Sequence, residues 1–280
     1  MKKVFLLLLF IPTFVYCQPR ALIMPEDSKI FDDYISYISE WRDQSKEVIL
    51  EKTALFFLDT PYVAHTLEKG NTETMVINLR ELDCFTFVEN VIALTNTVVS
   101  GESDIDSFVK ILERIRYRDG ILKGFTSRLH YTSDWIFDNQ QKGIMKNISL
   151  EIGGEIENKS INFMSSNRSS YDQLKDDDKA LKEIVSVENE INKRGGFAYL
   201  PKENIGITAP LIPNLSVIAF TTKIKGLDTT HVGFAYKNGD KLTFIHASSL
   251  AMKVVVDSKS LDEYCQSQKN CTGIIVAKIL

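Results

Sequence analysis

The chain is 280 residues long, enough for one large domain or two small ones and for a sizeable core. Hydrophobic residues make up 44% and charged residues 25%, with only 14 Gly and 7 Pro, a balance that excludes disorder, collagen and low-complexity arrays. With 33 Lys plus Arg against 37 Asp plus Glu, the formal net charge is −4, so no basic footprint for nucleic acid exists.

Met1 to Cys17 opens with Lys2 and Lys3 and continues in an apolar run from Val4 to Ile11. That order predicts a secretory signal peptide over 1–17, and the run is too short to span a bilayer. No later segment reaches the roughly 18 consecutive apolar residues that a membrane helix needs. Phe14-Val15-Tyr16 lacks the small residues that precede a lipidated cysteine. Simple export, periplasmic or secreted, is therefore expected over an outer-membrane lipoprotein anchored at Cys17.

After the leader, Asp32 to Glu51 carries apolar residues at a helical period, and Thr53 to Leu58 reads as a second short helix stopped by Asp59-Thr60-Pro61. Leu82 to Val99 is apolar almost all round and predicts a buried helix, with Asp83 as its N-cap and Cys84 in its first turn. Glu89 inside that helix needs a partner, for which Arg116 and Arg118 are candidates. Asp104 to Arg116 predicts an amphipathic helix and Asp176 to Lys193 a charged one, with Gly120 to Asn167 between them mixed and loop-rich.

From Leu215 onward SVIAFTT, HVGFAY, KLTFIHAS, MKVVVD and GIIVAKI predict antiparallel strands, with a small helix over Ser258 to Cys265. The turn Lys237-Asn238-Gly239-Asp240 joins the second and third strands as a hairpin. Helices first and strands afterwards predict an α+β fold. The expected organisation is a single domain over 18–280, helical over about 27–200 and a sheet over about 214–280.

Without the leader three cysteines remain, and Cys265 and Cys271, which enclose five residues, form a candidate disulfide. Cys84 is then the odd thiol. The N-terminus of a helix favours a thiolate, and the base that a nucleophile requires must come from four histidines, His65, His130, His231 and His246. The hairpin can bring His231 and His246 to one face of the sheet, which completes a set of nucleophile, base and orienter. The same three side chains could instead hold zinc, although the chain has no CxxC or HExxH motif and no obvious fourth ligand.

Asp83-Cys84, Thr230-His231-Val232-Gly233-Phe234 and Phe244-Ile245-His246-Ala247-Ser248 resemble the three motifs of the NlpC-type papain-like cysteine peptidases, which cut amide bonds in bacterial peptidoglycan. TPYVAHTLE, LDCFTFVENVIAL, SRLHYTSDWIFDN, INFMSSN and GLDTTHVGFAY further resemble the N-acetylmuramoyl-L-alanine amidase-like branch of exported bacterial proteins, from about Asp59 to the C-terminus. One departure is Asn214-Leu215-Ser216, where relatives tend to carry a Gly-Asp turn.

The resemblance implies a papain-like fold and cleavage of the amide between N-acetylmuramic acid and L-Ala in muropeptides of the 1,6-anhydro type, with no cofactor and no metal. Cys84 would be the nucleophile, His231 the base and His246 its orienter, with Tyr62 lining the site near the oxyanion. Substrate contacts are expected from Asp83, Ser127, Arg128, His130, Tyr131 and Trp135. An arginine suits a carboxylate and an aromatic ring suits a sugar face, yet a structural role for each of these residues stays open. Two other functions also stay open: an endopeptidase cutting between D-glutamate and the diamino acid, and a non-catalytic muropeptide-binding protein.

Overall fold

Asp83 starts the helix that carries Cys84. Its carboxylate accepts the backbone N–H groups of Phe85 and Thr86 at 3.0 and 2.7 Å, while the Thr86 hydroxyl accepts the Asp83 N–H at 3.0 Å. This reciprocal cap satisfies donors that the first helical turn would otherwise leave unpaired. The helix runs Cys84–Val99 and is buried on nearly every side, as its continuous apolar sequence requires. The computed structural model describes residues 21–68 and 72–280, so the predicted leader and the alternative anchor at Cys17 lie outside the described residues.

Two helices flank this central one. Ile105–Arg116 begins at an Asp104 cap, as expected. On the other side, the stretch read as one helix over Asp32 to Glu51 is two, Pro25–Ile38 and Lys46–Phe56, separated by a tight turn over Ser39–Trp41. Ser45 explains the break, because its hydroxyl accepts from Val48 N and opens a new helix. The helix predicted over Thr53 to Leu58 is the tail of the second. Asp59, at φ 67°, turns the chain out of it before Pro61.

The middle of the chain is more ordered than its pattern predicts. Thr132–Gln141 is a helix whose buried face carries Asp134, Asp138 and Asn139 beside Trp135 and Ile136. Polar residues on the inner face erase the hydrophobic period, and ion pairs make their burial tolerable: Arg118 and Arg194 both hold Asp134, at 2.5 and 2.7 Å.

Apart from a short parallel pair, Leu22–Ile23 with Val76–Ile77, the strands form one antiparallel sheet in the order Glu155–Glu157, Phe197–Pro201, Cys271–Ile279, Val217–Thr222, Thr229–Asn238, Lys241–Ser248, Lys253–Val256, with Met145–Asn147 also paired to Cys271–Ile279. Three of these strands lie within the 27–200 region expected to be helical, so the division into a helical and a sheet part does not hold along the sequence. Side chains alternate between two cores. Val217, Ala219, Val232, Phe234 and Ile245 face the helices, with Phe87 against Phe234 at 5.8 Å between ring centroids. Ile218, Phe220, Ala235 and Phe244 face the short helix Leu261–Ser267, which the Cys265–Cys271 disulfide ties to the last strand.

The architecture is α+β. Among the described residues no helix is long and apolar enough to cross a membrane. At the departure noted above, Leu215 adopts φ 57°, a left-handed conformation unfavourable for a branched residue, and its N–H is fixed to the Ala235 carbonyl at 2.8 Å.

Candidate active site

The hairpin Thr229–Asn238/Lys241–Ser248 closes through Gly239-Asp240 and pairs Phe234 with Ile245. One residue before that pair on the first strand, Gly233 leaves a space that His246 fills. A Cβ on Gly233 would lie 2.6 Å from the Ile245 carbonyl oxygen and 2.9 Å from the His246 Cβ. His246 thereby reaches His231. Their ring nitrogens, Nε2 of His231 and Nδ1 of His246, are 2.6 Å apart, and the ring planes are nearly perpendicular at 84°.

Aromatic packing fixes both rings. Phe244 stacks on His246 with centroids 4.1 Å apart, Phe220 stacks on His231 at 5.9 Å, and Tyr264 stands 6.1 Å from His231 and 5.8 Å from His246. A cavity of about 200 Å³, lined in part by His231, Thr230, Ser249 and Tyr264, opens beside the first histidine.

Cys84 is the one free cysteine among the described residues. The backbone amides of Val232, of Cys84 itself and of Phe85 lie near enough to its sulfur to favour the thiolate. Val232 follows His231, so the helix start and the histidine strand converge on the thiol. The expectation that the helix terminus lowers the thiol pKa is reversed here: burial, then the neighbouring Asp83 carboxylate, outweigh the N–H groups and push Cys84 up to about 12. Burial, with His246 alongside, holds His231 down at about 3, and burial holds His246 at about 4. The resting site therefore pairs a neutral thiol with neutral imidazoles. It can form a thiolate by passing the proton to His231 when a substrate arrives.

The zinc alternative is disfavoured by the same contact, because the facing nitrogens of His231 and His246 are bonded to each other. Among the described residues no group of three His, Cys, Asp or Glu side chains is arranged to hold a metal.

Of the other residues singled out in the sequence, Tyr62 comes to the site. It is half-buried, its N–H is held by the Met252 carbonyl at 3.0 Å, and the Cys84 and Asp83 charges add to burial in raising its phenol pKa. Asp83 caps the helix. Ser127 spends its hydroxyl inside its own turn, donating to the Gly124 carbonyl at 2.7 Å and accepting from Lys123 N at 2.9 Å. Arg128 is buried beside Glu73, Nε to Oε1 3.5 Å, with its guanidinium over the Phe125 ring at 5.1 Å.

His130 bonds through Nε2 to the Phe125 carbonyl at 2.8 Å, and its enclosed setting lowers its pKa to about 3. Two expected substrate platforms are corrected. Trp135 is 0% exposed and props Phe85, ring to ring at 5.1 Å, so it offers no open face to a sugar. Tyr131 is buried with its hydroxyl committed, donating to Glu188 at 2.7 Å and accepting from Met164 N at 2.8 Å.

Sequence reasoning missed two groups at the site. Asp257 Oδ2 lies 3.2 Å from His246 Nε2, and Tyr264 closes the far side of both rings. Neither belongs to a motif that could have singled it out; Asp257 is simply the last residue of MKVVVD.

The AmiA-like family model, described as N-acetylmuramoyl-L-alanine amidase-like, matches residues 52–274. The chain belongs to that family. The match runs from the second helix through the last strand and includes every site residue named above. This AmiA-like chain also resembles an N-acetylmuramoyl-L-alanine amidase from Bacteroides uniformis, at 36% identity and a TM-score of 0.77 over 82% of this chain and 98% of the other. A Bacteroides fragilis protein provisionally named a xylanase is equally similar in sequence, 36% identical with a TM-score of 0.75 over 81% of this chain and 99% of that one. A Legionella pneumophila protein, 23% identical with a TM-score of 0.67 over 91% of this chain and 94% of its own, shares the fold. A search of curated proteins finds no match. The family is one of amidase-like hydrolases of the cell wall.

Proposed function

We propose that the protein is a cysteine amidase that hydrolyses the bond between the lactyl group of N-acetylmuramic acid and L-Ala in muropeptides, with Cys84 as nucleophile, His231 as base and His246 as its orienter. The observation that carries this reading is the 2.6 Å contact between His231 and His246, with the amide of Val232, the next residue on the His231 strand, near enough to the Cys84 sulfur to favour its thiolate. A thiol, an imidazole and a third group that holds the imidazole are the minimum for acyl transfer through a covalent intermediate. Glycosidic cleavage, by contrast, calls for two carboxyl groups flanking the bond. Near Cys84, Asp83 is occupied as a cap and Asp257 lies behind His246.

In this mechanism the Cys84 proton passes to His231 as sulfur attacks the lactyl carbonyl. The developing oxyanion would be held by the Cys84 backbone N–H, helped by the Tyr62 hydroxyl. The His231 imidazolium then gives its proton to the nitrogen of L-Ala, the C–N bond breaks, and the muramyl group remains as a thioester on Cys84. Water, deprotonated by His231, releases the muramic acid and restores the thiol. No cofactor enters these steps.

Arg128 is the remaining candidate for a substrate carboxylate: its guanidinium stands 3.5 Å from Glu73, and its Nε is buried without a hydrogen-bond partner. The layout of a nucleophile helix packed on an antiparallel sheet supports the papain-like, NlpC-type fold, and the span of the family match supports one catalytic domain over 18–280. Export is supported by the Met1–Cys17 pattern and by the Cys265–Cys271 disulfide, a bond that persists in oxidising compartments. The reading is tested by incubating 1,6-anhydro-muropeptides with the protein and with Cys84→Ala. Release of the whole stem peptide beginning at L-Ala, absent with the variant, is expected; turnover that survives the substitution overturns it.

A further inference from the structure

We propose that Asp257 is a positioning residue that sets the tautomers of His246 and His231 and so leaves a bare His231 nitrogen to take the Cys84 proton. The proposal rests on the reading of Cys84, His231 and His246 given above, and it extends that chain by one member.

The argument follows the protons. Asp257 is tethered at both carboxylate oxygens: Oδ1 accepts the Lys259 backbone N–H at 2.8 Å, and Oδ2 lies 3.2 Å from His246 Nε2. Its backbone is fixed as well, with its N–H donating to the Phe244 carbonyl at 2.9 Å and its carbonyl accepting the Thr243 hydroxyl at 2.7 Å. A carboxylate accepts and does not donate. The proton in the His246–Asp257 contact must therefore sit on His246 Nε2, which leaves His246 Nδ1 with a lone pair.

That lone pair faces His231 Nε2 at 2.6 Å, so the proton in this second contact belongs to His231 Nε2. His231 Nδ1 is then unprotonated. His246 is about 1% exposed, so bulk solvent does not reach its ring, and an unsatisfied alternative would leave a buried ring nitrogen without a partner among the described residues. One carboxylate thus fixes the state of a nitrogen two rings away, because each neutral imidazole donates from one nitrogen only.

Asp257→Asn tests this with little change in shape. The Lys259 N–H still requires an acceptor, so the amide oxygen stays on that side and the NH₂ turns to His246 Nε2. His246 must then accept at Nε2 and carry its proton on Nδ1. His231 accepts in turn at Nε2, and its own proton moves to Nδ1, where the base is needed.

The decisive reading is the ¹⁵N NMR spectrum of histidine-labelled protein at neutral pH. Both His231 and His246 are expected as Nε2–H tautomers in the unsubstituted protein and as Nδ1–H tautomers in Asp257→Asn. With 1,6-anhydro-muropeptide as substrate, kcat should fall roughly 10³- to 10⁴-fold, the scale of a catalytic histidine held in the wrong tautomer, while KM stays within about threefold. An Nδ1–H tautomer of His231 in the unsubstituted protein overturns the proposal, even if the variant does not fold. So does an Asp257→Asn protein with unchanged kcat. The spectrum needs no substrate, so a failure of the amidase reading, seen as turnover that persists in Cys84→Ala, is told apart from a failure of this one.

Discussion

Glu89 and Arg116 meet at 2.7 Å where neither side chain is more than 2% exposed, and Arg116 also donates to the Val76 carbonyl at 2.8 Å. The pair joins the Cys84 helix to the Ile105–Arg116 helix and to the short strand Val76–Ile77, one turn and a half beyond the nucleophile. Burial pushes the Glu89 carboxyl up and the guanidinium draws it back, so the contact holds the helix in place more through geometry than through net energy. Removing one partner is another matter. Glu89→Ala is expected to cost about 3 to 5 kcal/mol in urea unfolding, because it strands a buried guanidinium, whereas Glu89→Leu combined with Arg116→Met should recover most of that loss. A single-variant cost under about 1 kcal/mol would mean that the site relaxes around the charge.

Asp83 does two things that a substitution can separate. Its carboxylate caps the helix, and its charge is the second contribution, after burial, to the raised thiol pKa of Cys84. Asp83→Asn keeps an acceptor for the cap and removes the charge. Alkylation of Cys84 by iodoacetamide at pH 7 should accelerate with little change in stability, whereas Asp83→Ala should also lose about 1 kcal/mol of stability. An unchanged alkylation rate in both variants would show that the Asp83 charge does not reach the sulfur.

Acid should unfold the protein earlier than its carboxylates alone would dictate. His130 and His231 are held near 3 and His246 near 4, each chiefly by burial, while an unfolded histidine titrates at about 6.5. The folded pKa values are depressed, so between about pH 6.5 and 3 the unfolded chain binds protons that the folded chain refuses. Stability is fully present above that window and is lost as pH falls through it. Urea midpoints measured from pH 7 to pH 4 should decline, and His130→Gln should flatten the decline without touching the nucleophile. A midpoint independent of pH over this range would contradict the neutral state of these rings.

The disulfide should matter to the site as well as to the fold. Cys265 lies beside Tyr264 in the helix that covers both catalytic-candidate rings, and its bond to Cys271 closes a short loop. The pair Cys265→Ser and Cys271→Ser is expected to lose about 2 kcal/mol in thermal or urea unfolding by the loop-entropy estimate. Turnover should fall alongside, since Tyr264 loses its anchor. Full activity in a destabilised variant would limit the bond to a structural role.

Much of this site could be read from the sequence because its parts lie at landmarks that local chemistry creates. Asp83 marks a helix start, so Cys84 falls in a first turn. The Asn238-Gly239-Asp240 turn fixes a hairpin, so His231 and His246 become neighbours. The sequence offers Glu89 two arginines as partners, and Arg116 fills that place while Arg118 serves Asp134. What escaped detection depends on contacts between distant segments. The Thr132–Gln141 helix hides its period behind buried Asp134 and Asp138, and those residues are tolerable only because arginines from elsewhere reach them. Asp257 and Tyr264 reach the histidines through strand register and helix packing, which no local pattern encodes. The thiol pKa went the other way from expectation for a similar reason: the helix end is visible in sequence, and the packing around it is not.

The central claim is that Cys84 forms a thioester with the muramyl group. It is tested most directly by acid-quenching the protein during turnover of a defined 1,6-anhydro-muropeptide and mapping the adduct by mass spectrometry. An adduct on the Cys84 peptide with the mass of the acylated anhydromuramyl group and no amino acid is predicted. An adduct that retains L-Ala and D-glutamate would move the cut to the stem peptide, and turnover with no adduct on Cys84, even under rapid quenching, would contradict the account.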